Sequence, residues 1–416
     1  MASLEPEKQL PKKFITSSIV MGIAVGFSHI TGFIIKIAFR IQLPPNDYGI
    51  FAYFVGFYPF FLLLGHIYLE YPIVASVSEN PNDSEENDQK KSQLLSVTAI
   101  TASSSAFLYF LWTGFGTGQW ILSSFFSFVM FTAAFSNVTL AFSRGRGVFQ
   151  PTGYAWLTTG LLRGGLLALF TTGILLSASL ETASIVFALP WLTWPLIIMY
   201  YREWIRPTIP SRSFVKPFVS NGTWSLLVGL AIQIPLSVSL LFLKDSYGFT
   251  EVGDFDIALI SYSVFSIIIA GAVYVTNAKA RELPAFPDFA RRVLFWLCSL
   301  MLLGFISAMI FSHPLESIVS NLLQQIGMPV SIYWSVIILL TVAVPVRIAM
   351  EIIVAYLQGR GVFKPVGIIT IICAISGLPF LFLLINQTAL IGGALGIGII
   401  NIVTLLILLI YGFRKF

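Results

Sequence analysis

Lys36, Glu70, Arg163, Asp256, Arg347 and Glu351, together with His29 and His66, stand within long apolar stretches of the chain. An ionisable group in hydrocarbon is costly, so each is a functional candidate by default. Spacing limits what they can do. Arg347 and Glu351 are four residues apart on one helix face and either neutralise each other or leave Arg347 for a ligand. Arg163, flanked by Gly164 and Gly165, suits the lining of a cavity. His29, Lys36 and Arg40 share one helical stripe, and His29 and His66 read either as core histidines or as cavity lining. Glu70, Asp256 and Glu351 are the carboxylates available for coupling to a cation gradient. Asp254 and Asp256 fall near the outer start of a span, where they are expected to be wet. Arg40 and Lys244 occupy equivalent positions near the outer interface and are expected to snorkel to headgroups. A Glu70–Lys36 pair is rejected, because their depths differ by roughly 20 Å. Cys298 and Cys373 lie in apolar runs with no CxxC spacing, so both read as small buried residues, and no metal site or cofactor is expected.

The elements that must position these groups are membrane spans. Of 416 residues, 56% are hydrophobic and only 10% charged, against roughly a quarter charged in a soluble protein. The 37 Phe suit lipid-facing and interfacial surfaces. Apolar runs of about 20 residues place spans near 14–42, 47–78, 93–114, 118–143, 150–177, 180–201, 214–243, 254–278, 292–312, 331–357, 363–386 and 388–411. The first run is too long for a signal peptide and reads as a retained span. The polar segment Glu79–Gln93 is expected to be a mobile cytoplasmic loop. The segment His313–Val330 is expected to be an outer loop carrying a short interfacial helix through Leu315–Gln325.

Orientation follows from the basic residues. With a cytoplasmic N-terminus, the inside segments hold Lys8, Lys12, Lys13, Lys90, Lys91, Arg144, Arg146, Arg202, Arg206, Arg212 and Lys216. They also hold Lys279, Arg281, Arg291, Arg292, Arg360, Lys364, Arg414 and Lys415, whereas the outside segments hold only Arg40 and Lys244. Both termini are therefore expected in the cytoplasm. The net charge of +5 reads as a topology signal, and no nucleic-acid partner is expected.

The chain also matches itself. GRGVFQPTG (Gly145–Gly153) recurs as GRGVFKPVG (Gly359–Gly367), differing only at Gln150/Lys364 and Thr152/Val366. NDYGIF (Asn46–Phe51) matches TEVGDF (Thr250–Phe255) more weakly. The expected fold is all-α, about twelve transmembrane helices in two six-helix bundles, 1–206 and 207–416, related by a pseudo-twofold along the membrane normal. Such parallel repeats are found in rocking transporters. The GRGVFxPxG motif itself reads as structural: glycine ends one span, Arg anchors at the cytoplasmic headgroups, and Pro opens the next helix. Arg347 maps onto Ala133 and Arg163 onto Gly377, so these charges were not duplicated with their helices.

The 6+6 plan, the PNDYG and TEVGD stretches opening spans two and eight, YLQGRG closing span ten, and IGGALGIGIINIV (Ile391–Val403) carry a resemblance. The chain resembles the polysaccharide-transport branch, the Wzx-type oligosaccharide flippases, of the multidrug/oligosaccharidyl-lipid/polysaccharide exporter (MOP) superfamily. The resemblance implies flipping of a polyprenyl- or dolichyl-linked glycan from the cytoplasmic to the outer leaflet of the cell membrane by alternating access. Such a protein must hold a phosphate or pyrophosphate away from water, a task suited to Arg. Arg163 and Arg347, with Lys36 as an outer station, fit that role. A monomer working beside the glycosyltransferases of its pathway is expected. Two alternatives stand against this reading. A multidrug exporter of the same fold should have an acidic, aromatic cavity, which Lys36, Arg163 and Arg347 oppose. A membrane glycan polymerase or ligase should carry a large outer loop or an interfacial carboxylate motif, so an enzyme is not expected.

Overall fold

A computed structural model describes residues 9–79, 84–172, 178–203, 206–260, 262, 273, 276, 280, 283–325 and 329–416; the side chains of 9–22, 71, 75, 78, 79, 84, 307–320 and 322–325 are outside that description. Among the described residues the regular structure is helical throughout. Nine helices there are long and apolar enough to cross a membrane. Most of the span expected at 254–278 lies outside the described residues; its opening is a helix over 249–260, here α10.

By contacts the chain forms two compact units. The first comprises Met1–Ile35, Phe61–Ser177 and Glu181–Thr223; the second comprises Lys36–Phe60, Ala178–Leu180 and Trp224–Phe416. Three of the divisions fall inside helices α1 (Gln9–Gln42), α2 (Pro45–His66) and α9 (Arg212–Tyr247), and another falls after the first residue of the helix that opens at Leu180.

In the first unit the second span breaks after His66. Ile67 and Tyr68 take left-handed backbone conformations, φ 46° and 50°, which L-residues adopt at a cost, and the chain resumes as α3 (Glu70–Glu79). Leu69, Ile73 and Val77 then pack on Leu94 and Leu95 of α4 (Ser84–Thr117), Val138 and Phe142 of α5 (Trp120–Gly145), and Val215. Helix α4 corrects one expectation. The polar segment ending at Gln93 is helical from Ser84, and Lys90, Lys91, Ser92 and Gln93 are buried. Lys90 pairs with Glu86 one turn earlier at 2.6 Å, and the other three find partners on the linker that follows the sixth span. Lys91 pairs with Glu203 at 2.7 Å, Ser92 Oγ donates to the Arg206 carbonyl at 2.7 Å, and Gln93 Oε1 accepts from the Ser211 amide at 3.0 Å. After α6 (Gln150–Thr172), the sixth span is α7 (Leu180–Ala188), a 3-10 turn at Leu189–Leu192 and α8 (Thr193–Tyr200).

In the second unit α11 runs unbroken over Phe286–Gln325. The helix expected near Leu315–Gln325 is therefore the end of the ninth span rather than a separate interfacial piece. The tenth span opens as α12 (Ser331–Ile338) and continues through a π-helical segment, Leu339–Ala343, into α13 (Val344–Gly359). Pro345 accounts for the interruption, since it has no amide to return to the Thr341 carbonyl. Helix α14 (Phe363–Lys415) is two antiparallel helices: at Thr388–Ala389 the backbone leaves helical geometry, with φ 48° at Ala389. Gly377 faces Ile400, Gly396 faces Leu381 and Gly392 faces the Leu384 carbonyl. These are the two spans expected at 363–386 and 388–411, and the glycines of the late motif bring their backbones together. Phe286, Phe289, Ile353, Tyr356, Leu357, Val366 and Leu408 form the core they share with α11 and α13.

Both GRGVF copies close a helix in the same way. Gly147 and Gly361 have φ of 75° and 82°. Val148 N donates to the Ser143 carbonyl and Gly147 N to that of Arg144; Val362 N and Gly361 N repeat the pattern on Leu357 and Gln358. This is a Schellman cap, which needs glycine at its left-handed residue. The motif arginines also have protein partners. Arg146 pairs with Glu203, and Arg360 donates to the carbonyls of Ala280 and Leu283 at 2.8 and 3.0 Å. Each half-buried guanidinium meets backbone or acid within its own unit.

Candidate functional site

Arg163 lies on the buried face of α6 and is only 4% exposed. Its Nε donates to the Phe187 carbonyl at 3.2 Å, and its guanidinium lies 4.4 Å from the centre of the Phe187 ring and 5.5 Å from that of Trp191. On the α1 side Gly32 makes the room: a Cβ there would stand 3.2 Å from Arg163 Nη1. His29, one turn earlier on α1, stacks on Trp156 at 5.3 Å. Trp156, Trp191 and Trp194 pack against one another, and Trp194 Nε1 donates to Thr159 Oγ1 at 2.9 Å. The Phe187 and Trp191 rings hold the Arg163 guanidinium by cation–π attraction, which strengthens as water is excluded.

Glu70 and His66 belong to a second cluster in this unit. Arg144 Nη2 donates to Glu70 Oε2 at 2.7 Å, and His66 Nε2 lies 3.8 Å from Glu70 Oε1. His66 Nδ1 accepts the Tyr68 amide at 3.1 Å, so the ring caps the break in the second span.

The second unit holds the remaining candidates. Arg347 Nε donates to Glu351 Oε1 at 2.6 Å along α13, and its guanidinium carbon stands 4.6 Å from the Tyr262 ring centre. Asn401, inside the late glycine motif, donates Nδ2–H to the Tyr262 hydroxyl at 3.0 Å. Lys36 Nζ reaches Asp256 Oδ1 at 2.6 Å, and the Tyr48 hydroxyl donates to Asp256 Oδ2 at 3.0 Å. Beside them Arg40 donates through Nε and Nη2 to Asp254 Oδ1 at 3.0 and 2.7 Å.

These contacts revise several expectations. Arg40 does not snorkel: it is 4% exposed and held by a carboxylate. Asp254 and Asp256 are not wet, at 2% and 3% exposure, because each neutralises a neighbouring cation. Lys244 lies over the rings of Tyr53 and Phe249, at 5.2 and 5.6 Å. Cys298 is exposed on α11 and only Cys373 is buried. Two of the proposed headgroup cations, Lys36 and Arg347, are joined to two of the proposed coupling acids, Asp256 and Glu351. Tyr48, Asp254, Tyr262 and Asn401 complete the clusters. Only Asn401, a polar residue in an unbroken apolar run, signals its position in the sequence.

No protein-family model matches the chain, and no curated protein does. Solved structures do. An inward-facing multidrug resistance MATE family transporter of the MOP superfamily superposes with a TM-score of 0.66 at 16% identity, covering 96% of this chain and 98% of the other. An outward-facing structure of such a transporter gives 0.66 at 16%, over 96% and 95%. The chain has the fold of a MOP-superfamily transporter. A MOP superfamily transporter from Pyrococcus furiosus, described as having a binding pocket of reverse polarity that suggests a different function, also gives 0.66 at 16%, over 97% and 95%. The MOP fold accommodates the all-helical plan of about twelve spans in two bundles expected from hydropathy, and the chain is a multi-pass membrane protein.

Proposed function

We propose that this MOP-fold protein moves a lipid-linked oligosaccharide, through its phosphate or pyrophosphate, from the cytoplasmic to the outer leaflet of the cell membrane. Both termini lie in the cytoplasm, and the motion is alternating access; the fold is found in inward- and outward-facing forms among its structural neighbours. The observation that carries the reading is the sign of the charge placed within the spans. Arg163 is oriented by a carbonyl and two aromatic faces, and arginine stays charged at any physiological pH. Arg347 adds a second such charge, poised on a carboxylate that a phosphate can replace as partner. Lys36 serves as an outer station once it leaves Asp256. Glu351, Asp256 and Glu70, released or reprotonated in turn, are the groups through which an ion gradient couples.

A cationic drug would meet the wrong sign at Arg163, which is held by a carbonyl and aromatic rings. A neighbour of the same fold is described by the reverse polarity of its pocket, which supports a cargo set by charge rather than by fold. The test is genetic. In a strain dependent on this protein, Arg163→Ala and Arg347→Ala each abolish surface glycan while the lipid-linked precursor is still made. Normal surface glycan in both variants, at normal protein levels, removes the proposed headgroup site.

A further inference from the structure

Gly49 of NDYGIF and Gly253 of TEVGDF are the same position in the two copies of the repeat, and they pack against each other. A Cβ on Gly253 would stand 3.3 Å from both Cα and N of Gly49 and 2.8 Å from Tyr48 Cδ1; a Cβ on Gly49 would run into the Phe249 carbonyl. Helices α2 and α10 therefore cross backbone to backbone at the duplicated glycine. A residue that touches its own repeat counterpart sits on the axis relating the copies.

The polar links around this crossing run from one copy to the other. Lys36 and Tyr48 come from the first copy and meet Asp256 of the second; Arg40 meets Asp254. Lys244, the counterpart of Arg40, reaches from the second copy onto Tyr53 of the first. Ser237 Oγ donates to the Gly56 carbonyl at 3.2 Å, again from second copy to first. The result is seen in the compact units: Lys36–Phe60, the adjoining ends of α1 and α2, groups with the second half of the chain, while the rest of both helices does not. On the orientation read from the basic residues, this is the outer end.

We infer that these residues form an outer latch, closed here, that opens in every transport cycle. The inference rests on the alternating-access reading above, and it reassigns Lys36 and Asp256 from headgroup binding and ion coupling alone to gating. Its chemistry suits a reversible contact. Facing glycines present no interlocked side chains. Buried ion pairs add little stability over apolar packing, yet they fix one register, and both partners are hydrated at once when the helices part. An apolar seam of the same size would hold more firmly and open less readily. Opening also frees Lys36 from Asp256, so a phosphate arriving at the outer leaflet meets a cation that was occupied until then.

The experiment uses the full chain in membranes, with Cys298→Ser and Cys373→Ser as background. Val252→Cys and Phe51→Cys, both fully buried beside the crossing, serve as separate reporters for a membrane-impermeant maleimide added outside. Asp254→Asn and Asp256→Asn are expected to raise labelling by about fivefold or more, since removing one partner of a buried pair releases the other. Exchanging the pair, Arg40→Asp with Asp254→Arg, returns it to within about twofold of the parent. Tyr48→Phe, which removes one hydroxyl only, gives a smaller rise and covers the case in which an amide variant fails to fold. Unchanged labelling of both reporters in folded Asp254→Asn, Asp256→Asn and Tyr48→Phe overturns the latch. The readout needs no glycan, so a failed latch and a mistaken cargo give different results.

Discussion

Arg347 and Glu351 sit one turn apart on α13, joined at 2.6 Å, with the guanidinium laid over the Tyr262 ring. The pair is neutral as it stands, and both side chains are largely buried. Any anion that binds Arg347 must therefore share it with Glu351 or displace that carboxylate. Arg347→Ala leaves Glu351 buried without its cation and should cost about 3–5 kcal/mol. Arg347→Met combined with Glu351→Gln should recover stability to within about 1 kcal/mol, because neither charge is then stranded. It should not recover export. Thermal unfolding in detergent and surface glycan, measured on the same variants, separate the two effects.

The segment that follows the sixth span is held by charge within the first unit. Burial pushes the Glu203 carboxyl up, but Lys91 and then Arg146 outweigh it and hold it below the ordinary carboxylate range. A depressed folded-state value stabilises the protein above the unfolded carboxylate pKa, and that contribution is lost as pH falls through the folded one. Tm should therefore decline as pH falls below about 4.3, the unperturbed glutamate value. Glu203→Gln should lower Tm at pH 7 and flatten that decline. A wild-type decline that Glu203→Gln leaves untouched would assign the acid sensitivity to other groups.

Within the late glycine motif, neighbouring positions should respond differently. A Cβ at Gly392 would meet the Leu384 carbonyl and stand 2.8 Å from Ile385 N, both backbone, whereas at Gly398 it would rest in ordinary contact 3.5 Å from Val342 Cγ1. Gly392→Ala should destabilise by about 1–3 kcal/mol. Gly398→Ala should be neutral or stabilise by up to about 1 kcal/mol through helix propensity. Folded yield and Tm in detergent report both.

Hydropathy made the spans legible because length and apolar composition are properties of single stretches. Even the break inside α14 matches two expected helices, although no glycine or proline stands at Thr388–Ala389 to mark it. What was not legible is pairing between distant stretches. Arg40 and Asp254 are separated by just over half the chain, and each looked interfacial when its own helix was read alone. Lys91 to Gln93 looked like a loop because their composition is polar; their partners are Glu203, Arg206 and Ser211, which no local pattern reveals. Arg347 with Glu351 was legible, being one turn apart. The glycines at 49 and 253 were visible as a repeat, and their mutual contact was not.

The claim beneath the functional account is that cations within the spans serve an anionic lipid headgroup. The direct measurement is transbilayer movement of a fluorescent polyprenyl-pyrophosphate oligosaccharide in vesicles containing the purified protein, read by loss of quenching from outside. The account predicts movement with the parent protein, slowed about tenfold or more in Arg163→Ala and in Arg347→Met combined with Glu351→Gln, a difference of about 1.4 kcal/mol at the least. Vesicles that leave the glycan lipid in place while exporting a cationic dye down an imposed gradient would contradict it.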